Sequence, residues 1–426
     1  MSGLDIGQAP APGDPWRFLR TSLLWGIAAG ALWLWQGSWA LTSRWAPVTV
    51  VSVHVWALGV LGNAMLGSLL QFLPVAANSR LALPASAKWL HHGFNLGLAL
   101  LLAFFLAPQP LLASAAVVLL ASSLGTFAWR ALLALKRVAN ASVLHRGLAA
   151  ALCYLLITVG LGATAATILV GQLNLPLESV VNLHAAMGLG GWCVGLLLAV
   201  GAVTVPMFQG ARVLSWLTQN RWRHFLAAAL SLALLAALSA QADTTLVLGL
   251  ALPCAALGST ILWMQLRTSH PRNPPLRAAW RVGALCLLLP MLLFIVRPGL
   301  PDDVPSSSIV VVAGTAILAA GLPLLVVGMQ WEIVPFLAWI ELRQRHPRGL
   351  RIPGVGRLLA AEHKQQLLVL HSVAATAAIA AALMPLATRL AGLLVMLAYA
   401  ASLLRLSAVW GTARAYSPTP SSPARR

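Results

Sequence analysis

Residues 308–340 read SIVVVAGTAILAAGLPLLVVGMQWEIVPFLAWI, and the only ionisable side chain in this stretch is the carboxylate of Glu332. A helix of about 20 apolar residues is long enough to cross the hydrocarbon core of a bilayer. The stretch therefore predicts a membrane-spanning helix. An ionisable group inside such a helix costs free energy and by default marks a functional site, so the position of Glu332 needs an explanation.

Apolar runs of this kind recur along the whole chain of 426 residues, of which 59% are hydrophobic and only 9% charged. Twelve runs are long enough to span a membrane. They are residues 18–41, 47–76, 87–107, 110–134, 147–171, 176–208, 223–241, 244–266, 278–297, 308–340, 365–386 and 388–411. The pattern predicts an all-α polytopic membrane protein with one membrane domain, residues 17–412. Residues 1–16 and 413–426 are expected to form disordered tails.

The net charge of +19 is unevenly distributed. Basic residues cluster in alternate loops, and four of the nine acidic residues lie in or beside the loops between them: Glu178, Asp243, Asp302 and Asp303. Because basic loops stay on the cytoplasmic side, this pattern predicts that both termini are cytoplasmic, as in a bacterial inner membrane protein. Topology and anionic lipid headgroups account for the positive charge, so we expect the lipid bilayer as partner and no nucleic acid.

A proline motif recurs at the ends of three predicted helices. The segments are GSLLQFLPVAANSR (67–80), AVGAVTVPMFQGAR (199–212) and GMQWEIVPFLAWIELR (328–343). Each contains a proline followed by a basic residue, and Pro74, Pro206 and Pro335 are 132 and 129 residues apart. That interval contains four predicted helices.

The chain is therefore interpreted as three pseudo-repeated four-helix units. Their approximate limits are residues 17–140, 141–270 and 271–412. The common transporter plan of two six-helix halves would instead repeat near 200 residues.

Two histidines lie in the outer parts of these repeated helices. His54 and His184 precede Pro74 and Pro206 by 20 and 22 residues, whereas helix 10 has Gly314 near the matching position. Neutral imidazole is a common ligand of haem iron and copper. The two side chains could hold one metal ion from two helices, or each could bond a neighbouring helix. Nearby glycines could let a flat macrocycle approach; they are Gly59, Gly62, Gly67, Gly188, Gly190 and Gly191.

A second group of histidines lies near the inner ends of helices 3, 7 and 11. His92, His224 and His371 are candidate metal ligands; the alternative is that they are ordinary side chains in contact with water.

Gln71 and Glu332 share one position in the repeat, three residues before the proline. We interpret them as the lining of an inner polar path. The alternative for Glu332 is contact with water, or an ion pair with Arg343, Arg345 or a cytoplasmic histidine.

Two segments carry a resemblance to a known family: HVWALGVLGNAMLGSLLQFLPV (54–75) and HAAMGLGGWCVGLLLAVGAVTVPMF (184–208). With twelve helices in three units, the chain resembles subunit I of the haem-copper oxidase superfamily, and more closely its divergent NnrS-type relatives. The resemblance implies haem b bound by His54, copper near His184, a redox partner protein, and a role in nitric oxide or oxygen response, electron transfer or metal handling.

The chain departs from the oxidases in helix 10, which lacks their H-x-H pair, and in helix 7, which lacks their outer histidine pair. A standard oxygen-reducing centre is therefore not expected, and enzymatic activity is left open. Two other classes of function fit the sequence. One is a transporter or channel for a small solute, proton or metal, in which Glu332 and the inner histidines titrate. The other is a scaffold without a cofactor.

Overall fold

A computed structural model of the chain describes residues 6–79, 81, 87–138, 141–299, 301, 305–346 and 352–416. These residues form helices and no strand, and twelve of their helices are long and apolar enough to cross a membrane. The prediction of an all-α integral membrane protein is confirmed. The spans are α1 Gly13–Leu41, α2 Pro47–Ala76, α3 Ala87–Leu106, α4 Pro110–Lys136, α5 Val143–Leu169, α6 Leu177–Gln209, α7 Trp216–Leu238, α8 Ala242–Leu266, α9 Pro274–Gly299, α10 Ser308–Arg345, α11 Ala361–Leu383 and α12 Pro385–Ala415.

Several helix ends differ from the predicted ones because polar and aromatic residues extend the helices. The first span begins at Gly13, inside the predicted tail, and the buried Trp16 stacks on Trp410 of α12 with ring centroids 5.6 Å apart. Similarly, α7 begins well before residue 223, because the Ser215 side chain accepts a hydrogen bond from the Thr218 N–H and caps the helix. Some predicted features lie outside the described residues: residues 1–5 and 417–426 of the tails, and Arg80, Asp302 and Asp303.

The spans α2, α6 and α10 are the most buried of the twelve and form the centre of the bundle. In α10 the buried residues occur on every side of the helix, as expected for a helix that is apolar all round. The other nine spans pack around this centre, mostly beside their neighbours in sequence.

Each central span changes from α-helix to π-helix along its length. The π segments are Val55–Gly62, Ala186–Val194 and Ala316–Gly321, and a fourth lies in α8 at Val247–Ala251. Each central span also contains the proline of the repeated motif within its helix. The π segments and prolines of the central spans thus recur in the same order and at similar intervals. Such segments are frequent at functional sites.

The first and last spans pack against each other. The last span, α12, packs along α1, just as α4 packs along α5 and α8 along α9. The contact is close at two glycines: a Cβ at Gly30 would lie 2.5 Å from the Gly392 carbonyl oxygen, and a Cβ at Gly392 would lie 2.5 Å from the Leu34 nitrogen. Small residues permit such backbone contact between membrane helices.

We expect Gly30→Leu to separate α1 from α12 and to lower the free energy of unfolding by about 1–3 kcal/mol, the usual effect of overpacking. Thermal unfolding in detergent micelles would measure the loss. The matched control is Gly125→Leu in α4, where an added Cβ has no neighbour within 4 Å. Equal melting temperatures for the two variants would contradict the close contact.

Candidate functional site

A cavity of about 550 Å³ lies among the central spans at the predicted outer end of the bundle. We call it the outer cavity. Its volume is in the range of small-molecule and cofactor sites. The walls are mainly apolar, and their Trp and Phe side chains are Trp33, Trp45, Trp56, Phe94, Phe104, Phe105, Trp192 and Phe294.

His54 of α2 and His184 of α6 both line the outer cavity. Their ring centroids are 6.4 Å apart, and the ring planes differ by 25°. The chain thus brings together two histidines that are distant in sequence. Both lie next to the start of a π segment, where the helix changes its register.

The hydrogen bonds of the two imidazoles define their tautomers. The Nδ1 of His54 lies 2.9 Å from the Val50 carbonyl oxygen, and the Nδ1 of His184 lies 3.0 Å from the Thr158 carbonyl oxygen on α5. Because a carbonyl oxygen can only accept, each Nδ1 of a neutral imidazole carries the proton and each Nε2 keeps its lone pair. This is the tautomer in which an imidazole binds a metal ion through Nε2.

The third central span contributes no ligand to this site. Ala313, Gly314 and Thr315 of α10 line the cavity, and a Cβ added at Gly314 would meet no atom within 4 Å. The α10 side of the site is therefore open space.

The flanking glycines face protein atoms where a side chain would stand, although Gly62 and Gly188 also line the outer cavity, so their role beside a macrocycle stays a prediction. A Cβ at Gly62 would lie 3.0 Å from Phe94, one at Gly188 3.0 Å from Thr158, and one at Gly191 2.7 Å from Tyr154. The other three likewise face protein atoms at 3.0 Å or less. The sequence analysis also did not identify Gly162. A Cβ added at Gly162 would lie 3.0 Å from the His184 ring, so this glycine makes room for the imidazole.

A cation lies at the cavity, in the short connection between α1 and α2. Arg44 donates from Nη1 to the Asn182 Oδ1 at 2.7 Å and from Nη2 to a Glu178 carboxylate oxygen at 2.9 Å. Burial lowers the pKa of Arg44 below its usual value, and the carboxylates of Glu178 and Asp243 act in the opposite direction. The sequence analysis did not predict a role for Arg44. Its position is nevertheless a signal, because Arg44 is a basic residue in a loop that is expected to hold few basic residues.

Aromatic rings connect the outer cavity to the inner half of the bundle. Successive centroid distances are 6.1 Å from Trp33 to Trp56, 5.8 Å from Trp56 to Tyr399, 4.8 Å from Tyr399 to His371 and 5.9 Å from His371 to Trp331. The Tyr399 ring fits between the helices because α1 has a glycine, Gly26, opposite it. A Cβ at Gly26 would lie 2.1 Å from the Tyr399 ring.

Glu332 forms an ion pair with Lys364, with 2.5 Å between the carboxylate oxygen and Nζ. Both residues are buried. The predicted partners were wrong: Arg345 pairs with Glu341 instead, at 2.8 Å. Lys364 lies in the first turn of α11, just before the apolar run used to predict that helix, and was therefore treated as part of a loop.

Gln71, the other predicted member of the inner polar path, is buried in α2. Neither its Oε1 nor its Nε2 has a hydrogen-bond partner among the described residues. A buried amide of this kind needs an explanation, and ordered water is a common one. The described contacts do not connect Gln71 to Glu332, so the path stays a prediction.

The three inner histidines occupy different surroundings. His92 on α3 and His224 on α7 are exposed, whereas His371 on α11 is buried with its Nε2 2.9 Å from the Ser402 Oγ of α12. Within the described ranges, no three or more His, Cys, Asp or Glu side chains come together in a way that could hold a metal ion. Metal binding by these histidines stays a prediction.

A scan against known protein families gives no match for this chain, and a search of curated proteins gives none.

We expect Lys364→Met to lower the free energy of unfolding by about 3–5 kcal/mol, because the Glu332 carboxylate would stay buried without a partner. The double variant Glu332→Gln/Lys364→Met removes both charges and should recover much of that loss. Equilibrium unfolding in mixed micelles would measure both values. Arg345→Ala, which breaks a partly exposed pair, is the control and should change stability by less than about 1 kcal/mol. A double variant less stable than Lys364→Met would overturn this account of the pair.

Proposed function

We propose that this chain is an integral membrane haem protein of oxidase-like architecture, in which His54 and His184 hold the iron of haem b in the outer cavity. The observation that carries the proposal is the pair of imidazoles, each with its Nδ1 bonded to a backbone carbonyl and its Nε2 available. Such a pair on two central spans, beside a large apolar cavity, would supply two nitrogen ligands to a haem iron.

The dimensions of the site fit this group. Metal–imidazole nitrogen bonds are about 2.0 Å long, so the two rings must lie close together if one ion is to be bound by both. The observed separation is 6.4 Å. A copper ion shared by the same two nitrogens is the other metal that this donor set would take.

The polar residues at the cavity fit the carboxylates of a haem. Arg44 and Asn182 line the cavity, and the buried Nδ2 of Asn182 has no hydrogen-bond partner among the described residues. A guanidinium and an amide N–H together can bind carboxylates. These two residues would therefore hold propionate groups, while the aromatic walls exclude water.

The two histidines are anchored differently, which supports a role in gas response as well as electron transfer. His54 bonds to a carbonyl of its own helix, whereas His184 bonds to Thr158 of a neighbouring span. A shift of α5 against α6 would move His184 and leave His54 in place. When bound, a haem would supply one-electron exchange, and its iron would bind nitric oxide or oxygen only where one of the two histidines does not occupy it. A redox partner protein would dock at a membrane face.

The proposal includes the three-unit architecture, cytoplasmic termini and a bacterial inner membrane location. The unit repeat is supported by the π segments and internal prolines of the central spans. It is also supported by the closure of α12 on α1, which repeats the packing of α4 on α5 and α8 on α9.

A transporter or channel without haem is the second candidate. It is favoured by the buried Glu332–Lys364 pair and the unpartnered Gln71 amide in the central spans. Ionisable residues at such depth often mark ion or proton pathways. This candidate expects pH-dependent flux that is lost in Glu332→Gln, with no chromophore.

We expect the purified protein to show a Soret band and a reduced-minus-oxidised haem spectrum. His54→Ala and His184→Ala should each weaken or shift these features, because each would remove one proposed nitrogen ligand. His224→Ala, which changes an exposed histidine outside the outer cavity, is the control and should leave the spectrum unchanged. A colourless, metal-free protein after expression with ample haem and copper would overturn the haem proposal and favour transport.

Gly314→Phe tests the same cavity without changing either histidine. We expect the phenyl group to occupy the open α10 side and to reduce the haem content of the purified protein. The control is Gly160→Phe on α5, which also adds its side chain in open space but does not line the cavity. Haem-to-protein ratios and melting temperatures of both variants would be compared. Equal haem content in two folded variants would contradict the proposed position.

A further inference from the structure

A second, smaller cavity of about 270 Å³ lies between α5, α6 and α7, away from the histidine pair. We call it the side crevice. Small residues from all three helices line it, namely Gly147, Ala150, Ala151, Gly195, Ala199 and Ala227. Together with leucines of the same helices and Tyr154 they form a largely apolar wall, and a space of about 270 Å³ is too small for another helix.

One part of the side crevice is polar and basic. Gln219, Trp222, Arg223 and His224, from the first turns of α7, line it. Arg223 forms no ion pair with any carboxylate of the described residues. Among these four side chains only cationic and neutral groups occur. An anionic ligand would therefore complement the charge of this part of the crevice.

We propose that the side crevice binds one anionic phospholipid, with an acyl chain between α5, α6 and α7 and the phosphate at Arg223. An amphiphile with an apolar chain and an anionic head is the ligand that complements both parts of the crevice. Basic pockets between membrane helices bind such headgroups, and tryptophan beside them suits the membrane interface. The site does not depend on the proposed haem.

Native mass spectrometry of the intact, delipidated protein tests this inference, with phosphatidylglycerol and phosphatidylcholine of identical acyl chains as the two probes. We expect one tightly bound phosphatidylglycerol and about tenfold weaker phosphatidylcholine binding, because both lipids carry the phosphate but the choline cation of phosphatidylcholine is repelled by Arg223. Arg223→Gln should remove the preference. Arg221→Gln is the matched control, because Arg221 is exposed two residues away and does not line the crevice.

A second pair of variants tests the acyl slot. Ala227→Phe should weaken phosphatidylglycerol binding by filling the crevice, whereas Ala228→Phe, on the adjacent exposed position, should not. Equal binding of the two lipids, or equal effects of Arg223→Gln and Arg221→Gln, would overturn the site. So would equal effects of the two alanine variants, or full competition by soluble glycerol phosphate.

Discussion

In a bilayer, every backbone N–H and C=O must find its partner within the protein, and this constraint orders the whole bundle. Irregular backbone is tolerated where protein or an internal cavity surrounds it. The π segments of α2, α6 and α10 lie in the three most buried spans, where other helices shield them. The nine surrounding spans thus provide the protected centre in which a helix can depart from regular geometry.

The same departures from regular helix position the candidate site. His54 immediately precedes one π segment, and His184 lies two residues before another. A π segment changes the direction in which the following residues project. The same helix can therefore present a histidine to the cavity before the π segment and pack its later residues against neighbouring helices. Ring contacts then lead through Trp56 and Tyr399 to His371, away from the cavity. The outer cavity and the inner half of the bundle are therefore parts of one continuously packed centre.

Hydrophobic runs predicted the twelve spans because a bilayer imposes length and apolarity on each helix separately. The pairing of His54 with His184 was also accessible, since the proline motif places both near one depth. Partners that depend on the packing of several helices were not. Lys364 was missed because it precedes the apolar run of its helix, and the packing against the glycines was not predicted because sequence does not reveal which neighbour fills the space above each one. The three-unit repeat remains a prediction.

The contact between Trp16 and Trp410 places the first and last spans side by side. Gly30 and Gly392 bring the backbones of these two spans close together. The spans could therefore be joined in a different order along the chain and still form the same interfaces with one another. A circularly permuted chain, with α12 linked to α1 and new termini in another connection on the same side, would contain the same interfaces. The packing of the spans would then not depend on which span comes first along the chain.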